Sequence, residues 1–327
     1  MARRESSRVA LVTGASGFVG SHLVESLVAD GWEARCLMRP RSERRWLPPE
    51  ARVVEASLED GAALRHALSG VHTVFHLAAV TSAHTVEEYG RVNVEGTRRV
   101  IEAVSAYASG AVLLYCSSMA AAGPSVAEGA ARESDPPRPI GPYGASKLAA
   151  ERLIAAAGVR HVIVRPPTVY GPRDRDVLAM FRLVSYGVAP RIGQATQRLS
   201  MVHVDDLVEG LRRAAERGAA GAVYYVSGGV HSWREVVNAL GRAVGRGVRE
   251  IAVPRAAADV AALGSRLVAR LRRTKPLLTP ERVRDMMQPA WVCDDSEARS
   301  QLGYLPRVSL EAGVKSTAAW YREHGWL

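Results

Sequence analysis

From residue 8 onward the chain alternates short apolar runs with stretches of helical periodicity. "RVALVTG" leads into the amphipathic "VGSHLVESLVADG", and "EARCLMR" and "ARVVEA" follow. A helical "LEDGAALRHALSG" then precedes "VHTVFHLAA". After "NVEGTRRVIEAVSAYA" come "AVLLYCSS", the helix of "YGASKLAAERLIAAAG" and "HVIVRPPTVYG". Strands this short and uniformly apolar, each followed by a helix, predict a parallel sheet covered on both faces, a doubly wound α/β fold. Past residue 171 the texture changes. "RDRDVLAMFRLVSYGVAPRIG" reads as loop and helix, "SMVHVDDLVEGLRRAAERG" as a strand feeding a helix, and "GAVYYVSGG" as a late strand returning to the sheet. The remainder is mostly helix and loop, punctuated by Pro254, Pro276, Pro280, Pro289 and Pro306. The expected division is a sheet domain over 7–170 plus about 198–228, and a smaller, mostly helical lobe over 171–197 and 229–327. No flexible linker separates them, so the lobes are expected to share a cleft.

The 327 residues suffice for one large domain or two moderate ones. With 47% hydrophobic and 23% charged residues the composition is that of a soluble globular protein. No apolar run reaches the roughly 18 residues of a membrane span. The opening "MARRESSR" runs straight into a strand pattern rather than into the apolar core of a signal peptide. Cys36, Cys116 and Cys293 lack metal-ligand spacing, so no metal site is expected and a cytoplasmic location is. A net charge of +10 invites a nucleic-acid reading. Against it, the arginines are dispersed and are not interleaved with aromatic residues, so nucleic-acid binding is not expected. Of the 43 basic residues only Lys147, Lys275 and Lys315 are lysines.

The stretch "TGASGFVG" places Gly14, Gly17 and Gly20 between a strand and an amphipathic helix. Glycine permits the tight turn and lets the backbone approach a pyrophosphate, while the helix N-terminus offers free N–H groups and partial positive charge. Gly14, Ser16, Gly17, Phe18, Val19 and Gly20 are thus candidate dinucleotide contacts. The spacing is G-x-x-G-x-x-G rather than the commoner G-x-G-x-x-G. At the end of the next strand, where an acid would hold the ribose hydroxyls of NAD, "CLMRPRSERR" has Arg39. An arginine there can pair with the 2′-phosphate of NADP(H), which is therefore favoured, with NAD(H) left open.

In "PYGASKLAAERL", Tyr143 and Lys147 stand four apart on a predicted helix and share a face. A tyrosine titrating near ~10 works as an acid–base catalyst at neutral pH when a nearby cation stabilises its phenolate. Upstream, "LLYCSSMAAAG" ends a strand in Ser117 and Ser118, where a hydroxyl can enter the same cleft.

Together these pieces resemble the extended short-chain dehydrogenases/reductases of the NAD(P)-dependent epimerase/dehydratase kind. "TGASGFVG", "HLAA", "VNVEGT", "YCSS", "YGASK", "RPPTVYGP" and "VHVDDL" occur in the family's order, and "LGYLPRVSLEAGVKSTAAWYREHG" resembles its closing segment. The resemblance spans essentially the whole chain and implies a Rossmann sheet with a substrate lobe. It implies Tyr143 as acid–base residue at the substrate oxygen and Lys147 as the group that holds the nicotinamide ribose and lowers the tyrosine pKa. Ser118 would hydrogen-bond the reacting oxygen, with Ser117 on the cofactor side. Leu77, Ala78 and Ala79 would line the cofactor, and Pro166, Thr168 and Val169 would pass beside the nicotinamide. Asn93 would anchor geometry. In "EASLED" the family usually has Asp-Leu where this chain has Ser57-Leu58, so Ser57 would reach the adenine more weakly.

The reaction is narrowed by departures from the family pattern. Dehydratases carry an acid directly after the catalytic hydroxyl, but Ser118 is followed by "MAAAG". Nucleotide-sugar epimerases tend to have an arginine four residues before the histidine of "HVDD", where this chain has Leu199, and an aromatic where it has Met201. "PRAAADVAALGSRLVARLRRTKPLLTPERVRDMM" resembles the dihydroflavonol-reductase and 3β-hydroxysteroid-dehydrogenase branch, whose small-molecule substrates are apolar alcohols and ketones. Its apolar stripe is most simply read as packing on the lobe's own core. The basic cluster from Arg266 to Arg273 also fits a peripheral membrane contact, which the sequence alone does not favour, and stable insertion is not expected. His203, Asp205 and Asp206 are read as structural, the aspartates as helix caps. The expectation is an NADP(H)-dependent oxidoreductase interconverting a secondary alcohol and a ketone. The alternatives are an NAD-dependent nucleotide-sugar 4-epimerase and a dinucleotide-sensing regulator. By resemblance, a homodimer would use the "NVEGTRRVIEAVSAY" and "YGASKLAAERLI" helices.

Overall fold

In the computed structural model, which describes residues 8–83, 85–125, 129–272 and 278–327, the apolar runs become strands where the pattern places them. The chain starts with β1 (Val9–Thr13), α1 (Phe18–Ala29), β2 (Glu33–Met38), β3 (Arg52–Glu55), α2 (Gly61–Leu68) and β4 (Thr73–His76). Next come α3 (Val86–Tyr89), a π-helical turn over Gly90–Glu95, α4 (Gly96–Tyr107), β5 (Val112–Cys116), α5 (Met119–Ala122), α6 (Pro142–Ala156) and β6 (His161–Arg165). Then follow β7 (Thr168–Tyr170), α7 (Leu178–Ser185), β8 (Val188–Ile192), β9 (Arg198–His203), α8 (Val204–Arg217) and β10 (Val223–Tyr225). The last third holds β11 (Gly229–Ser232), α9 (Trp233–Val244), β12 (Arg249–Val253), α10 (Arg255–Arg272) and α11 (Pro280–Met286). It closes with β13 (Ala290–Trp291), α12 (Ser296–Leu302) and α13 (Leu310–Glu323).

Seven strands form one parallel sheet in the order β3-β2-β1-β4-β5-β6-β10. That is the Rossmann order, with its reversal between β1 and β4, where the crevice for a ligand opens at the carboxyl ends of the strands. Period-two alternation feeds two cores. Ala10 and Val12 of β1 face Leu23, Val24 and Leu27 of α1 and Leu207 and Leu211 of α8. Val9 and Leu11 face Leu64 and Leu68 of α2, Val100 and Val104 of α4 and Ile154 of α6. Each such Leu or Val contributes roughly 1.5–3 kcal/mol when fully buried, so the crevice is framed by two well-packed cores.

The division into lobes that we propose is the one above, with one strand straddling it. β9 pairs with β7, β11 and β13 in a separate small sheet, although its Val202 packs into the main core. α8 and β10 return the chain to the main sheet. The lobe's core unites α7, α9 and α13 through Phe181, Val237, Leu240, Val314 and Tyr321. α10 departs from the expected packing: Ala258 and Ala262 meet Val283 of α11, not the larger leucines and valines of its apolar stripe. The basic cluster's last member, Arg273, lies outside the described residues.

Candidate active site

The glycine turn closes the crevice from the β1 side. Gly14 has φ +74°, and a Cβ there would lie 2.8 Å from the Ala78 nitrogen and 2.9 Å from the Leu77 carbonyl carbon. Only glycine lets the end of β1 sit against the segment leaving β4, which brings Gly14 to Leu77 and Ala78. A Cβ on Gly20 would lie 2.1 Å from the Gly14 carbonyl oxygen, so α1 enters directly over the turn. Gly17 is the N-cap of α1 and supplies no side-chain cap, leaving the first-turn N–H groups, those of Phe18 and Val19 included, without a side-chain partner. Ser16 is half-buried in the same turn. Such a turn suits a dinucleotide pyrophosphate.

Across the crevice, α5 and α6 bring Ser118 and Tyr143 together. A Cβ on Gly144 would lie 2.1 Å from the Ala120 carbonyl oxygen, so this glycine lets the start of α6 press against α5. Ser118 caps α5, its hydroxyl accepting from the Ala120 N–H at 3.1 Å. Burial holds the Tyr143 phenol well above tyrosine's ordinary 10, with Cys116 adding to the rise and a hydrogen bond with Ser118 drawing it back. Lys147 is fully buried, donates to the Cys116 carbonyl at 2.6 Å and lies 4.2 Å over the Tyr115 ring. Desolvation lowers its pKa to about 8, against the opposing pull of Cys116 and Glu151. With its pKa raised chiefly by burial, Tyr143 is held protonated.

Beneath the crevice runs a continuous polar chain. The Ala78 N–H donates to the Thr13 hydroxyl at 3.2 Å, and Thr13 and His76 Nδ1 are 2.7 Å apart. His76 Nε2 lies 2.9 Å from the Thr97 hydroxyl, which itself donates to the Asn93 carbonyl at 2.6 Å. With the Thr97 proton spent on Asn93, Nε2 carries the imidazole hydrogen and Nδ1 accepts from Thr13. Burial, with Lys147 adding to it, lowers the His76 pKa to about 3, so the ring is neutral. Asn93, in the π-helical turn, accepts from the Val80 N–H at 2.8 Å and donates to Val80 O and to the Ser146 hydroxyl. Ser146 donates in turn to the Tyr143 carbonyl at 2.7 Å. The chain ties the glycine turn, the end of β4 and the start of α6 into one frame. Thr13, His76 and Thr97 lie within the quoted motifs "TGASGFVG", "HLAA" and "VNVEGT", but the sequence alone assigns them no role.

Ser117, expected on the cofactor side, is engaged by a carboxylate. It is buried and donates to Glu151 at 2.5 Å, within a network in which Arg165 grips the same carboxylate at 3.0 and 2.6 Å. Pro166 is buried and its carbonyl accepts from the Met119 N–H at 2.8 Å, which sets the neighbourhood of Ser118. Thr168 is exposed and Val169 half-buried on β7. Ala79 is half-buried beside Val80. Ser57 is exposed and its hydroxyl accepts from Glu59, while Leu58 packs within the second core and against Gly96. Tyr89, not singled out earlier, lies 6.2 Å ring to ring from Tyr143. His203 is itself the N-cap of α8, whereas Asp206 accepts from the Arg307 and Val308 N–H groups at 2.9 and 3.0 Å. The capping role expected of the aspartates therefore falls to the histidine, and Asp206 pins the C-terminal segment.

Arg39 leaves the end of β2 exposed, and its side chain makes no hydrogen bond or ion pair among the described residues. The loop after it is clasped by the C-terminus. Trp46 lies 5.3 Å from Trp320 and 5.5 Å from His324, with Arg45 at 4.5 Å and Arg173 at 5.1 Å from its ring. Trp326 adds to the cluster through Trp320, Arg45 and Arg175.

Comparison with known proteins places this geometry among relatives. Residues 10–227 match the NAD dependent epimerase/dehydratase family. A ceramide reductase of Caulobacter vibrioides is 31% identical over 322 residues, covering 98% of this chain and 96% of that protein. A 2-alkyl-3-oxoalkanoate reductase of Stenotrophomonas maltophilia is 30% identical over 339 residues, with 94% and 98% covered. Among solved structures, DesIV, a dTDP-glucose 4,6-dehydratase from Streptomyces venezuelae with NAD and TYD bound, has a TM-score of 0.79 at 25% identity. It covers 97% of this chain and 98% of its own.

Proposed function

We propose, from the premise that the chain belongs to the NAD dependent epimerase/dehydratase family and is an NAD(P)-dependent oxidoreductase, that it reduces an apolar ketone to a secondary alcohol with NADPH. The observation that carries this reading is the pairing of a protonated Tyr143 with Ser118 at the crevice, followed by Met119–Ala122 with no carboxylate for an elimination. Arg39, exposed where β2 ends and without an ion-pair partner among the described residues, supports the preference for a 2′-phosphate. The names of the two reductase relatives fit an apolar carbonyl substrate.

The turn from Gly14 to Gly20 and the N-terminus of α1 would hold the pyrophosphate. Ser57 and Leu58 would flank the adenine, while Leu77, Ala78, Ala79, Pro166, Thr168 and Val169 would line the path to the nicotinamide. When bound, the dinucleotide supplies the hydride that the carbonyl carbon receives. The proton is the protein's part. Tyr143 gives its phenolic proton to the carbonyl oxygen, Ser118 orients that oxygen by a hydrogen bond, and the Lys147 ammonium stabilises the phenolate left behind. Asn93 and Ser146 hold the start of α6 in place for that transfer.

The test is a panel of carbonyl compounds followed by NADPH absorbance, with UDP-sugars alongside. Tyr143→Phe should cut turnover by about 10²–10⁴-fold while dinucleotide affinity stays near wild type. Arg39→Asp should abolish the preference for NADPH over NADH. Unchanged turnover in Tyr143→Phe refutes the mechanism. UDP-sugar interconversion without net redox, by a protein purified with NAD, gives the epimerase reading instead.

A further inference from the structure

α10 is packed by its small face and exposed by its large one. Ala258, Ala262 and Ala269 are buried, whereas Val260, Leu263, Leu267 and Leu271 are 69%, 62%, 61% and 76% exposed. At about 100° per residue those four centre on the side of the helix opposite the buried alanines. Arg255, Arg266 and Arg270 gather on one shoulder between the two faces, with Asp259 among them. Arg255 reaches Asp259 at 3.6 Å and Arg266 reaches Glu281 at 3.4 Å, while Arg270 has no ion-pair partner among the described residues.

We propose that this face of α10 rests on an anionic lipid bilayer, the leucines and valines in the acyl boundary and the arginines at the headgroups. The charge pattern selects the occupant. An apolar ridge with an arginine shoulder, on a chain of net charge +10, complements a surface that is oily within and negative at its rim. A second copy of the chain is a poorer match. The ridge offers on the order of 500 Å², short of the ~800 Å² per partner of a standard interface, and an antiparallel twofold contact brings like-charged shoulders together. No helix among the described residues is long and apolar enough to cross a membrane, so the contact is interfacial.

The contact also has a place in the fold. The Ser265 hydroxyl of α10 accepts from the Leu278 N–H at 3.1 Å, which leads into α11. Arg284 of α11 reaches the Ile140 carbonyl at 3.1 Å, three residues before Tyr143. A bilayer under α10 therefore lies on the side of the molecule from which α11 reaches the catalytic helix. This anchoring stands independently of the cofactor and substrate proposed above.

The test is co-sedimentation of the full chain with vesicles of equal parts phosphatidylcholine and phosphatidylglycerol, compared with phosphatidylcholine alone. The wild type should pellet with the anionic vesicles, less with neutral ones, and less again at high salt. Leu263→Ser with Leu267→Ser, both at exposed sites, should lower partitioning on the order of a hundredfold with the melting temperature unchanged. Arg270→Gln should weaken binding to anionic vesicles alone, by about fivefold. Wild type remaining in the supernatant, or the double serine variant still pelleting, overturns the proposal. A wild-type oligomer that the serine variant converts to monomer, without vesicle binding by either, assigns the face to a second copy and overturns it equally.

Discussion

Gly20→Ala isolates the fit between the glycine turn and α1. The added Cβ would lie 2.1 Å from the Gly14 carbonyl oxygen, 2.8 Å from its carbon and 3.0 Å from the Ala15 Cα. All three are backbone atoms, so no rotamer change relieves the contact. A carbon–oxygen approach relaxes near ~3.3 Å, which requires α1 to retreat by roughly 1 Å. Overpacking of this kind costs about 1–3 kcal/mol, and replacing a helical glycine by alanine returns roughly 1 kcal/mol, leaving a net loss of about 0–2 kcal/mol. The functional loss is larger. Retreat of the helix pulls its first-turn amides from the pyrophosphate, and losing two hydrogen bonds to a charged group at ~1.5 kcal/mol each weakens binding on the order of a hundredfold. Dinucleotide titration by calorimetry, paired with thermal melting, separates the two effects. Gly61→Ala is the control, since a Cβ there meets nothing within 4 Å, and it should leave binding unchanged. A Gly20→Ala protein that binds dinucleotide as the wild type does would refute the argument.

Further outcomes follow from the site and its surroundings. With Lys147 depressed to about 8 and needed as a cation, kcat/KM should fall as pH rises through about 8, and a profile flat up to the ordinary lysine value of 10.5 would exclude that role. The sign for stability is opposite: the unfolded chain keeps this proton to higher pH, so the group's contribution to stability rises between about 8 and 10.5. Glu151→Gln leaves the buried Arg165 guanidinium without its counter-charge and should cost about 3 kcal/mol in denaturant unfolding, with much of the loss recovered in the Glu151→Met/Arg165→Met pair. Trp46→Ala removes the ring that Arg45, Arg173 and Trp320 hold, and at ~1 kcal/mol for each of the two cation–π contacts it should lower stability by about 2 kcal/mol in denaturant unfolding; an unchanged unfolding midpoint would show that the clasp contributes nothing to the fold.

The sheet was legible because most of its strands are short apolar runs separated by helices, the pattern of a parallel sheet buried on both faces. The glycine turn was legible because its residues act through what they lack, and a missing Cβ shows in the sequence. Tyr143 and Lys147 were legible as a pair because helical spacing is local. The electrostatics were not, since the Tyr143 pKa is raised chiefly by burial among segments far away in the chain. Ser117 illustrates the same limit: two adjacent serines at a strand end look alike, yet one caps α5 and the other is consumed by Glu151, 34 positions later.

α10 shows the limit most sharply, because its periodicity was read correctly and its packing was not. Amphipathic spacing says that a helix has an apolar side, and the larger residues are the natural choice for the core. In this helix Ala258 and Ala262 are the residues that pack against Val283 of α11, and the leucines are left outside. Among the described residues nothing covers that apolar side, and the proposed bilayer supplies its partner. Net charge, which by itself said nothing about function, acquires meaning once three arginines are seen along the shoulder of that exposed face. The same +10 that failed as a nucleic-acid signal is the charge a negative bilayer attracts.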